Sequence, residues 1–153
     1  MNSAIERLLT LRVSDVMSRN VVSVAANKSM AEAATVLTQQ FISGAPVVGD
    51  HNQCVGILSA IDFVRCIANS SGGPPTPAAA NGHACQIPAT DLVASHMSAL
   101  VQTVAVDQPL TAAARLMCQN HIHRLIALDD QGRPAGVLTS LDIVAALISA
   151  IEE

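Results

Sequence analysis

Two short stretches of this chain place a glycine, a hydroxyl and a carboxylate at identical spacing. The range Gly56–Asp62 contains Ser59, and the range Gly136–Asp142 contains Thr139, eighty positions later. In each stretch an apolar run ends at the hydroxyl residue and an apolar, helix-like segment begins near the Asp, which predicts a strand running into a helix N-terminus. A hydroxyl, a carboxylate and unpaired backbone N–H groups would then meet at one sheet edge, where they could hold a polar ligand.

Helix capping is the simpler interpretation of both stretches. Ser/Thr-x-x-Asp is a capping pattern that stabilises a helix by about 1 kcal/mol. Capping does not account for Gly56 and Gly136, which lie inside apolar strands where glycine costs stability. Close approach of a ligand or of a neighbouring backbone explains these glycines, and both explanations stay open here. A carboxylate suits the two hydroxyls of a ribose, whereas the Ser/Thr hydroxyl and the N–H groups suit a phosphate.

The composition excludes several classes of protein. Half of the 153 residues are hydrophobic, so the chain can bury a core. The net charge of −4 and the single lysine leave no basic surface for nucleic acid, and the absence of Trp and Tyr disfavours base stacking. The sequence contains no apolar run of about 18 residues that could span a membrane. Residues 1–13 also lack an apolar run long enough for a signal peptide, so we expect none. We therefore expect a cytoplasmic protein that binds neither nucleic acid nor membrane.

Neither a metal site nor a catalytic site is indicated by residue spacing. His83 with Cys85, and His121 with His123, lack further ligands nearby, so no metal site is predicted. No Ser-His or Cys-His pairing and no glycine-rich loop followed by Lys indicates catalysis, so we predict no enzyme activity and no required cofactor. The cysteines show no Cys-x-x-Cys spacing, and the three that fall inside apolar elements are predicted to be buried free thiols: Cys54, Cys66 and Cys118. Cys85 lies in the linker and, with His83, is predicted to be exposed and inert.

The second half of the chain repeats the first at an offset of eighty positions. Each copy predicts the order β-α-β-β-α, in which a helical crossover makes the first two strands parallel and a short turn makes the last two antiparallel. Ser29 and Glu32 predict a capping box at the first long helix. The elements predicted in the first copy are a strand at 21–24, a helix from 29 to about 40, strands at 45–48 and 54–58, and a helix at 62–68. The fold class is α+β, with two repeats related by a pseudo-two-fold axis.

The predicted boundaries are an N-terminal helix at 1–12, a first repeat at 13–68, a linker at 69–90 and a second repeat at 91–150. The Gly/Pro/Ala-rich composition of the linker favours a mobile tether over an elaborated surface loop. The last helix, from Leu141 onward, is apolar over more than one face. This excess indicates a further partner, and a homodimer is the simplest one.

The duplicated pattern resembles a tandem pair of CBS (cystathionine-β-synthase) domains over about 13–148. The segments that carry the resemblance are Ser-Gly-Ala-Pro-Val-Val at 43–48, His-Arg-Leu-Ile-Ala-Leu-Asp at 123–129, and the two Gly-x-x-[Ser/Thr]-x-x-Asp stretches. The resemblance implies a non-catalytic regulatory module that binds an adenosine-containing ligand, such as AMP, ADP, ATP or S-adenosylmethionine, in clefts between the repeats. An adenine nucleotide would be a regulatory ligand, and an effector protein is the further partner to identify.

The resemblance also implies roles for individual residues. Asp62 and Asp142 would hold ribose, while Ser59 and Thr139 would contact phosphate. The backbone of the first strand and of the Gly-x-Pro strand would hold the adenine edge, which corresponds to Val21, Ser23, Ala45, Pro46, Val101 and Thr103.

A basic pair before the second strand, here His123–Arg124, is implied to contact phosphate in the partner repeat. Its counterpart in the first repeat is Ser43–Gly44, so the two clefts differ. Pairing across the pseudo-two-fold would bring the basic pair to Asp62 and leave Asp142 without a cation, so we expect phosphorylated nucleotides to prefer the first cleft. Two alternatives stay open: a ligand-free dimerisation or scaffold module whose motifs are only helix caps, and an enzyme with a nucleotide substrate.

Overall fold

A computed structural model of the chain describes residues 2–70, 87–99 and 102–152. The elements up to the linker are α1 (Asn2–Thr10), α2 (Val13–Val16), β1 (Val24–Ala25), α3 (Met30–Gln39), β2 (Gly44–Val48), a 3-10 turn (Asp50–Asn52), β3 (Cys54–Ser59) and α4 (Ala60–Ser70). Those that follow are α5 (Val93–His96), β4 (Thr103–Ala105), α6 (Leu110–Asn120), β5 (Arg124–Leu128), β6 (Pro134–Thr139) and α7 (Ser140–Glu152). Most of the predicted linker, with His83 and Cys85, lies outside the described residues.

The duplication is confirmed in the structure, and the fold class is α+β. Helices α2 to α4 begin eighty positions before α5 to α7, and β2 and β3 begin eighty positions before β5 and β6. The two three-stranded sheets have the orders β1-β2-β3 and β4-β5-β6. As predicted, β1 is parallel to β2, and β4 is parallel to β5, whereas β5 and β6 are antiparallel.

The first strand of each sheet is shorter than predicted, and Pro46 explains why β1 is the shorter of the two. The β1–β2 ladder begins at Val24 opposite Val47, whereas the β4–β5 ladder begins one position earlier, at Thr103 opposite Ile126. Ile126 is the counterpart of Pro46, which has no N–H to donate. The ladder of the first sheet therefore stops before Ser23, and the segment 21–23 forms no strand.

Helix α3 begins where the sequence predicts. Ser29 Oγ accepts the Glu32 N–H at 3.1 Å, and Glu32 Oε2 accepts the Ser29 N–H at 2.9 Å, which completes the capping box. These bonds to Ser29 lower the pKa of the Glu32 carboxyl. The helix ends at Gln39, before Phe41, which has a φ of 53° and is 96% exposed. Phe41 lies eleven positions after Met30, at the spacing that predicts a place on the apolar stripe of this helix. That prediction is wrong, because the left-handed residue turns away from the helix.

The chain divides into two compact units that do not coincide with the two sequence repeats. Unit 1 comprises Met1–Val21, Asn52–Cys54 and Gln102–Glu153, and unit 2 comprises Val22–His51 and Val55–Val101. Helix α2 therefore belongs with the elements of the second repeat, and α5 belongs with those of the first. The boundaries at 13–68 and 91–150 stay a prediction about the duplicated sequence.

Backbone hydrogen bonds hold α2 in unit 1. Val13 N–H donates to Gln108 O, and Ser14 N–H donates to Val106 O, both at 2.9 Å. Val13 is fully buried in a core that it shares with elements of the second repeat. Helix α2 is therefore part of this core.

The same arrangement holds α5 in unit 2. Val93 N–H donates to Lys28 O at 2.8 Å, and Ala94 N–H donates to Ala26 O at 3.0 Å. Val93 is fully buried in the core of unit 2. Each unit is therefore completed by a short helix from the other sequence repeat.

The described cysteines are free thiols, but they are not uniformly buried as predicted. Cys66 on α4 is fully buried, Cys54 is half-buried and Cys118 is exposed. Cys118 is exposed because it follows Met117, whose side chain lies on the core side of α6. Among the described residues, no helix combines the length and the apolar character that crossing a membrane requires.

Candidate functional site

The Ser59 corner, Ser59–Asp62, lies in unit 2 where β3 passes directly into α4. The Ser59 N–H and the Ser59 hydroxyl both donate to Asp62 Oδ2, at 2.7 and 3.0 Å. Ala60 N–H donates to the carbonyl oxygen of Ser43 at 3.0 Å. The corner is thus an N-terminal cap, and two of the N–H groups that were expected to be unpaired are engaged within the protein.

The Thr139 corner, Thr139–Asp142, repeats this arrangement in unit 1 between β6 and α7. Thr139 N–H and its hydroxyl donate to Asp142 Oδ2 at 2.7 and 2.8 Å, and Asp142 N–H donates back to Thr139 Oγ1 at 3.2 Å. Ser140 N–H donates to the carbonyl oxygen of His123 at 3.0 Å. In both corners one carboxylate oxygen makes the cap, so the other oxygen carries most of the acceptor capacity that remains for a ligand.

The cation beside the Ser59 corner is Arg65, a residue that sequence reasoning missed. Arg65 Nη1 lies 3.6 Å from Asp62 Oδ1, and the Arg65 side chain is 69% exposed whereas Asp62 is 5% exposed. The Asp-x-x-Arg spacing on a helix is the signal that could have found it, because residues at i and i+3 lie on the same face. The counterpart of Arg65 in α7 is Ala145.

In unit 1 the cation lies on the strand. Arg124, the first residue of β5, is opposite Thr139 in the antiparallel ladder, and its side chain is exposed. Directly opposite residues project from the same face of a sheet with Cβ atoms about 5 Å apart. The Arg124 side chain therefore leaves the sheet on the same face as Thr139, at the position that Gly44 occupies in the first repeat. The assignment of His123 and Arg124 to the Ser59 corner stays a prediction.

The alternating positions of His121 and His123 predict two imidazoles on one face of a strand. The structure contradicts this prediction, because the two histidines precede β5. His121 is the C-terminal cap of α6 with a φ of 53°, and β5 begins only at Arg124. The α6 helix must end in a left-handed residue to release the chain toward β5, and this turn separates His121 from His123. Both side chains are exposed.

The two glycines are explained by a neighbouring backbone. A Cβ on Gly56 would lie 2.8 Å from the carbonyl oxygen of Ser98, and a Cβ on Gly136 would lie 2.9 Å from that of Ser18. Backbone bonds of 2.9 Å pair Ile57 with Ser98 in both directions beside Gly56. Of the two explanations left open by the sequence, close backbone approach is the one the structure supports, so the glycines no longer argue for a ligand.

The remaining candidate residues are distributed over both units. Ala45 and Pro46 are buried in β2, Ser23 is half-buried just before β1, and Thr103 is half-buried in β4. Val21 is half-buried at the end of the first segment of unit 1, and Val101 lies outside the described residues. The structure therefore brings Ser59 together with Asp62, and Thr139 together with Asp142 and Arg124. The roles of the other residues in adenine binding stay predictions.

Similarity to a characterised protein extends along nearly the whole chain. An L-aspartate semialdehyde sulfurtransferase of Methanocaldococcus jannaschii is 26% identical over 142 residues, which cover 93% of this chain and 24% of the relative. The chain spans less than half the length of the first curated relatives it matches.

Solved structures share the fold. The CBS domain pair of protein MJ0100, solved with 5′-methylthioadenosine and S-adenosyl-L-methionine, has a TM-score of 0.69 at 24% identity and covers 94% of this chain and 98% of its own. CBSX2 of Arabidopsis thaliana, solved with AMP, has a TM-score of 0.71 at 24% identity and covers 93% of this chain and 98% of its own. Both comparisons describe domain pairs of about this size.

The family itself is established by sequence. Residues 13–69 and 87–149 each match the CBS domain, and together these two matches leave out little more than the N-terminal helix and part of the linker. The two matches correspond to the two copies of the eighty-residue repeat. The chain therefore belongs to the CBS domain family and carries a tandem pair of these domains.

Proposed function

We propose that this chain is a non-catalytic regulatory module that binds an adenosine-containing ligand at the Ser59 and Thr139 corners. The observation that carries the proposal is the Thr139 corner, where the exposed residue Arg124 lies opposite Thr139 in the ladder and the Thr139 hydroxyl donates a hydrogen bond to the Asp142 carboxylate. A helix cap needs the hydroxyl and the carboxylate but has no use for Arg124. A nucleotide uses all three, because the diol of ribose donates to a carboxylate and the phosphate accepts from Arg and Thr.

The solved relatives support this choice of ligand class. CBSX2 holds AMP, and the MJ0100 domain pair holds 5′-methylthioadenosine and S-adenosyl-L-methionine. These ligands share adenosine and differ in charge, so adenosine is the common element to test. A regulatory rather than a catalytic role is supported by the two family matches, which are both CBS domains.

Calorimetric titration of AMP, ATP and S-adenosylmethionine into the whole chain tests the proposal. At a hundred times its Kd, a ligand that binds only the folded state stabilises it by about 2.7 kcal/mol, which a melting curve resolves. Asp62→Asn and Asp142→Asn are expected to weaken binding. Asp15→Asn is a matched control, because Asp15 Oδ2 accepts the Arg12 N–H at 2.8 Å in a helix cap outside both corners.

Three results would contradict the proposal. If none of the three compounds binds, the corners are only caps and the scaffold interpretation is correct. If Asp15→Asn weakens binding as much as the corner variants do, the loss reflects stability and not ligand contact. If the wild-type chain turns over ATP or AMP and Asp62→Asn abolishes that turnover, the chain is an enzyme.

A homodimer is the second candidate function, and the surface of α7 favours it. Large apolar side chains on this helix are 44% to 74% exposed: Leu141, Val144, Leu147, Ile148 and Ile151. Such a continuous apolar face is typical of an interaction surface. Light scattering should give a dimer mass for the wild type and a monomer mass for Leu147→Asp, with Ser149→Asp on the same helix as a control that stays dimeric. A monomeric wild type would exclude this candidate.

A further inference from the structure

Three side chains that could ligate a metal meet in unit 2, away from the Ser59 cap. Cys66 Sγ lies 3.3 Å from Asp91 Oδ2, and His96 Nε2 lies 3.3 Å from the same oxygen. The ligand atoms of all three residues lie within 4.8 Å of one another. Cys66 is buried on α4, Asp91 precedes α5, and His96 is the last residue of α5. Sequence spacing gives no sign of this cluster, because 25 residues separate Cys66 from Asp91.

The distances fit a tetrahedral metal centre. Zn–S bonds of about 2.3 Å and Zn–N or Zn–O bonds of about 2.0 Å place ligand atoms roughly 3.3 to 3.6 Å apart. Both distances to Asp91 Oδ2 match this spacing. The third separation, between Cys66 Sγ and His96 Nε2, is at most 4.8 Å. Thiolate, imidazole and carboxylate together suit a borderline-soft cation, whereas Mg²⁺ and Ca²⁺ prefer oxygen ligands alone.

The backbone that presents these ligands is held in place. The Asp91 carbonyl accepts the Met30 N–H at 2.7 Å, and the Asp91 N–H donates to Pro88 O at 3.1 Å. The hydroxyl of Ser70 donates to the Cys66 carbonyl at 2.8 Å. Asp91 and His96 side chains are 30% and 20% exposed, so a cation can enter from their side. Three protein ligands with one side open to solvent are typical of zinc centres that keep a water.

Unit 1 supplies an internal comparison. The counterparts of Asp91, His96 and Cys66, eighty positions away, are Leu11, Val16 and Ala146. All three counterparts pack against the apolar core of unit 1. Packing at this place in the fold is therefore achieved with apolar residues, and burying a thiol, a carboxylate and an imidazole instead costs desolvation. Packing of α5 against α4 therefore does not by itself explain why these positions carry Cys66, Asp91 and His96.

We propose that Cys66, Asp91 and His96 bind a divalent cation of the Zn²⁺ class, which would tie α5 to α4. The competing interpretation is a hydrogen-bonded cluster in which the Cys66 thiol and the His96 imidazole both donate to Asp91. In the metal-free state, burial followed by the hydrogen bond and charge of Asp91 raises the pKa of the Cys66 thiol. A cation would replace that proton and release it to solvent.

Titrating Co²⁺ into the whole reduced chain distinguishes the two interpretations, because thiolate-to-cobalt charge transfer absorbs only when sulfur is a ligand. We expect one equivalent of Co²⁺ to give this absorption and one equivalent of Zn²⁺ to remove it. Zn²⁺ at a hundred times its Kd should raise the melting temperature by roughly 5 to 10 °C. Cys66→Ser and His96→Gln should lose both effects, while the control Cys118→Ser retains them.

A triple variant controls for the possibility that the single variants lose Co²⁺ binding because they misfold. Cys66→Ala, Asp91→Leu and His96→Val together install the residues found at the equivalent positions of unit 1, so this variant should fold and bind no Co²⁺. The proposal is overturned if the wild type gives no charge-transfer absorption. It is equally overturned if the absorption survives in Cys66→Ser or in the triple variant, or is lost in Cys85→Ser alone, since the thiolate would then lie elsewhere.

Discussion

The Ser59 and Thr139 corners have nearly the same cap and different cations. In each corner a backbone N–H and a hydroxyl donate to one carboxylate oxygen over 2.7 to 3.0 Å. The guanidinium, however, comes from the helix in unit 2, as Arg65, and from the strand in unit 1, as Arg124. The hydrogen bonds that a helix start requires are thus retained in both copies, while the element that supplies the positive charge differs.

The largest expected effect tests whether the two corners share the same packing. Gly56→Val and Gly136→Val should each destabilise the chain by about 3 kcal/mol, because a Cβ at either position meets a carbonyl oxygen within 2.9 Å. Urea denaturation measures the loss, and Ala105→Val, at an exposed strand position, is a near-neutral control. A large loss in one glycine variant and none in the other would show that the corners are packed differently.

The second prediction assigns Arg124 to a corner. Arg124→Gln should weaken AMP binding about ten-fold to a hundred-fold, since a charged hydrogen bond contributes about 1.5 to 3 kcal/mol. Arg115→Gln, another exposed arginine of unit 1, should leave binding unchanged. A double-mutant cycle then compares Arg124 with Asp62 and with Asp142. We expect the stronger coupling with Asp142, because Arg124 lies opposite Thr139 in the ladder and Thr139 bonds Asp142. Stronger coupling with Asp62 would instead favour the assignment expected from the sequence.

The third prediction compares the two caps. Thr139→Ala should cost about 1 to 2 kcal/mol and Ser59→Ala about 0.5 to 1 kcal/mol, because Thr139 Oγ1 both donates to Asp142 and accepts from its N–H. Thermal unfolding of the two variants without ligand measures the difference. A larger cost for Ser59→Ala would mean that the burial of Asp62 determines the strength of the cap.

The smallest effect concerns the hairpin turn of unit 1. Asp129 accepts the backbone N–H groups of Arg133 and Gln131 and pairs with the Arg133 side chain at 2.9 Å. The Arg133 backbone bond, as the main cause, lowers the pKa of Asp129 below its ordinary value of 3.8. Its stabilising contribution is therefore complete above that value and is lost as the pH falls through the lowered pKa.

An NMR titration of the Asp129 carboxyl measures this shift. The midpoint should lie below the ordinary value in the wild type, and Arg133→Gln should raise it only in part, because the backbone bond remains. The corresponding turn of the first repeat has Gly49 at the position of Asp129, so no equivalent titration is expected there. A wild-type midpoint at or above 3.8 would contradict the turn geometry.

Local patterns predicted the parts of the fold that depend on neighbours in sequence. The Ser29–Glu32 capping box, the strand directions and the two Ser/Thr-x-x-Asp caps all involve residues within a few positions or one short connection. The features that could not be predicted from the sequence depend on contacts between segments that are distant in the chain. The glycines at the corners face the backbone of Ser18 or Ser98, and the Cys66 cluster forms only because α5 packs in unit 2.

The placement of α2 in unit 1 also affects how the chain folds while it is being synthesised. The Arg12 side chain, just before α2, donates a hydrogen bond to the carbonyl oxygen of Asp107, which lies 95 residues later in the sequence. At about 5 to 20 residues per second, the ribosome adds that partner roughly 5 to 20 s after it adds Arg12. Throughout that interval the apolar side chains of α2 lack the residues of the second repeat against which they pack in unit 1. A ribosome that paused within the linker would prolong this state, and unit 2 would at that point also lack α5.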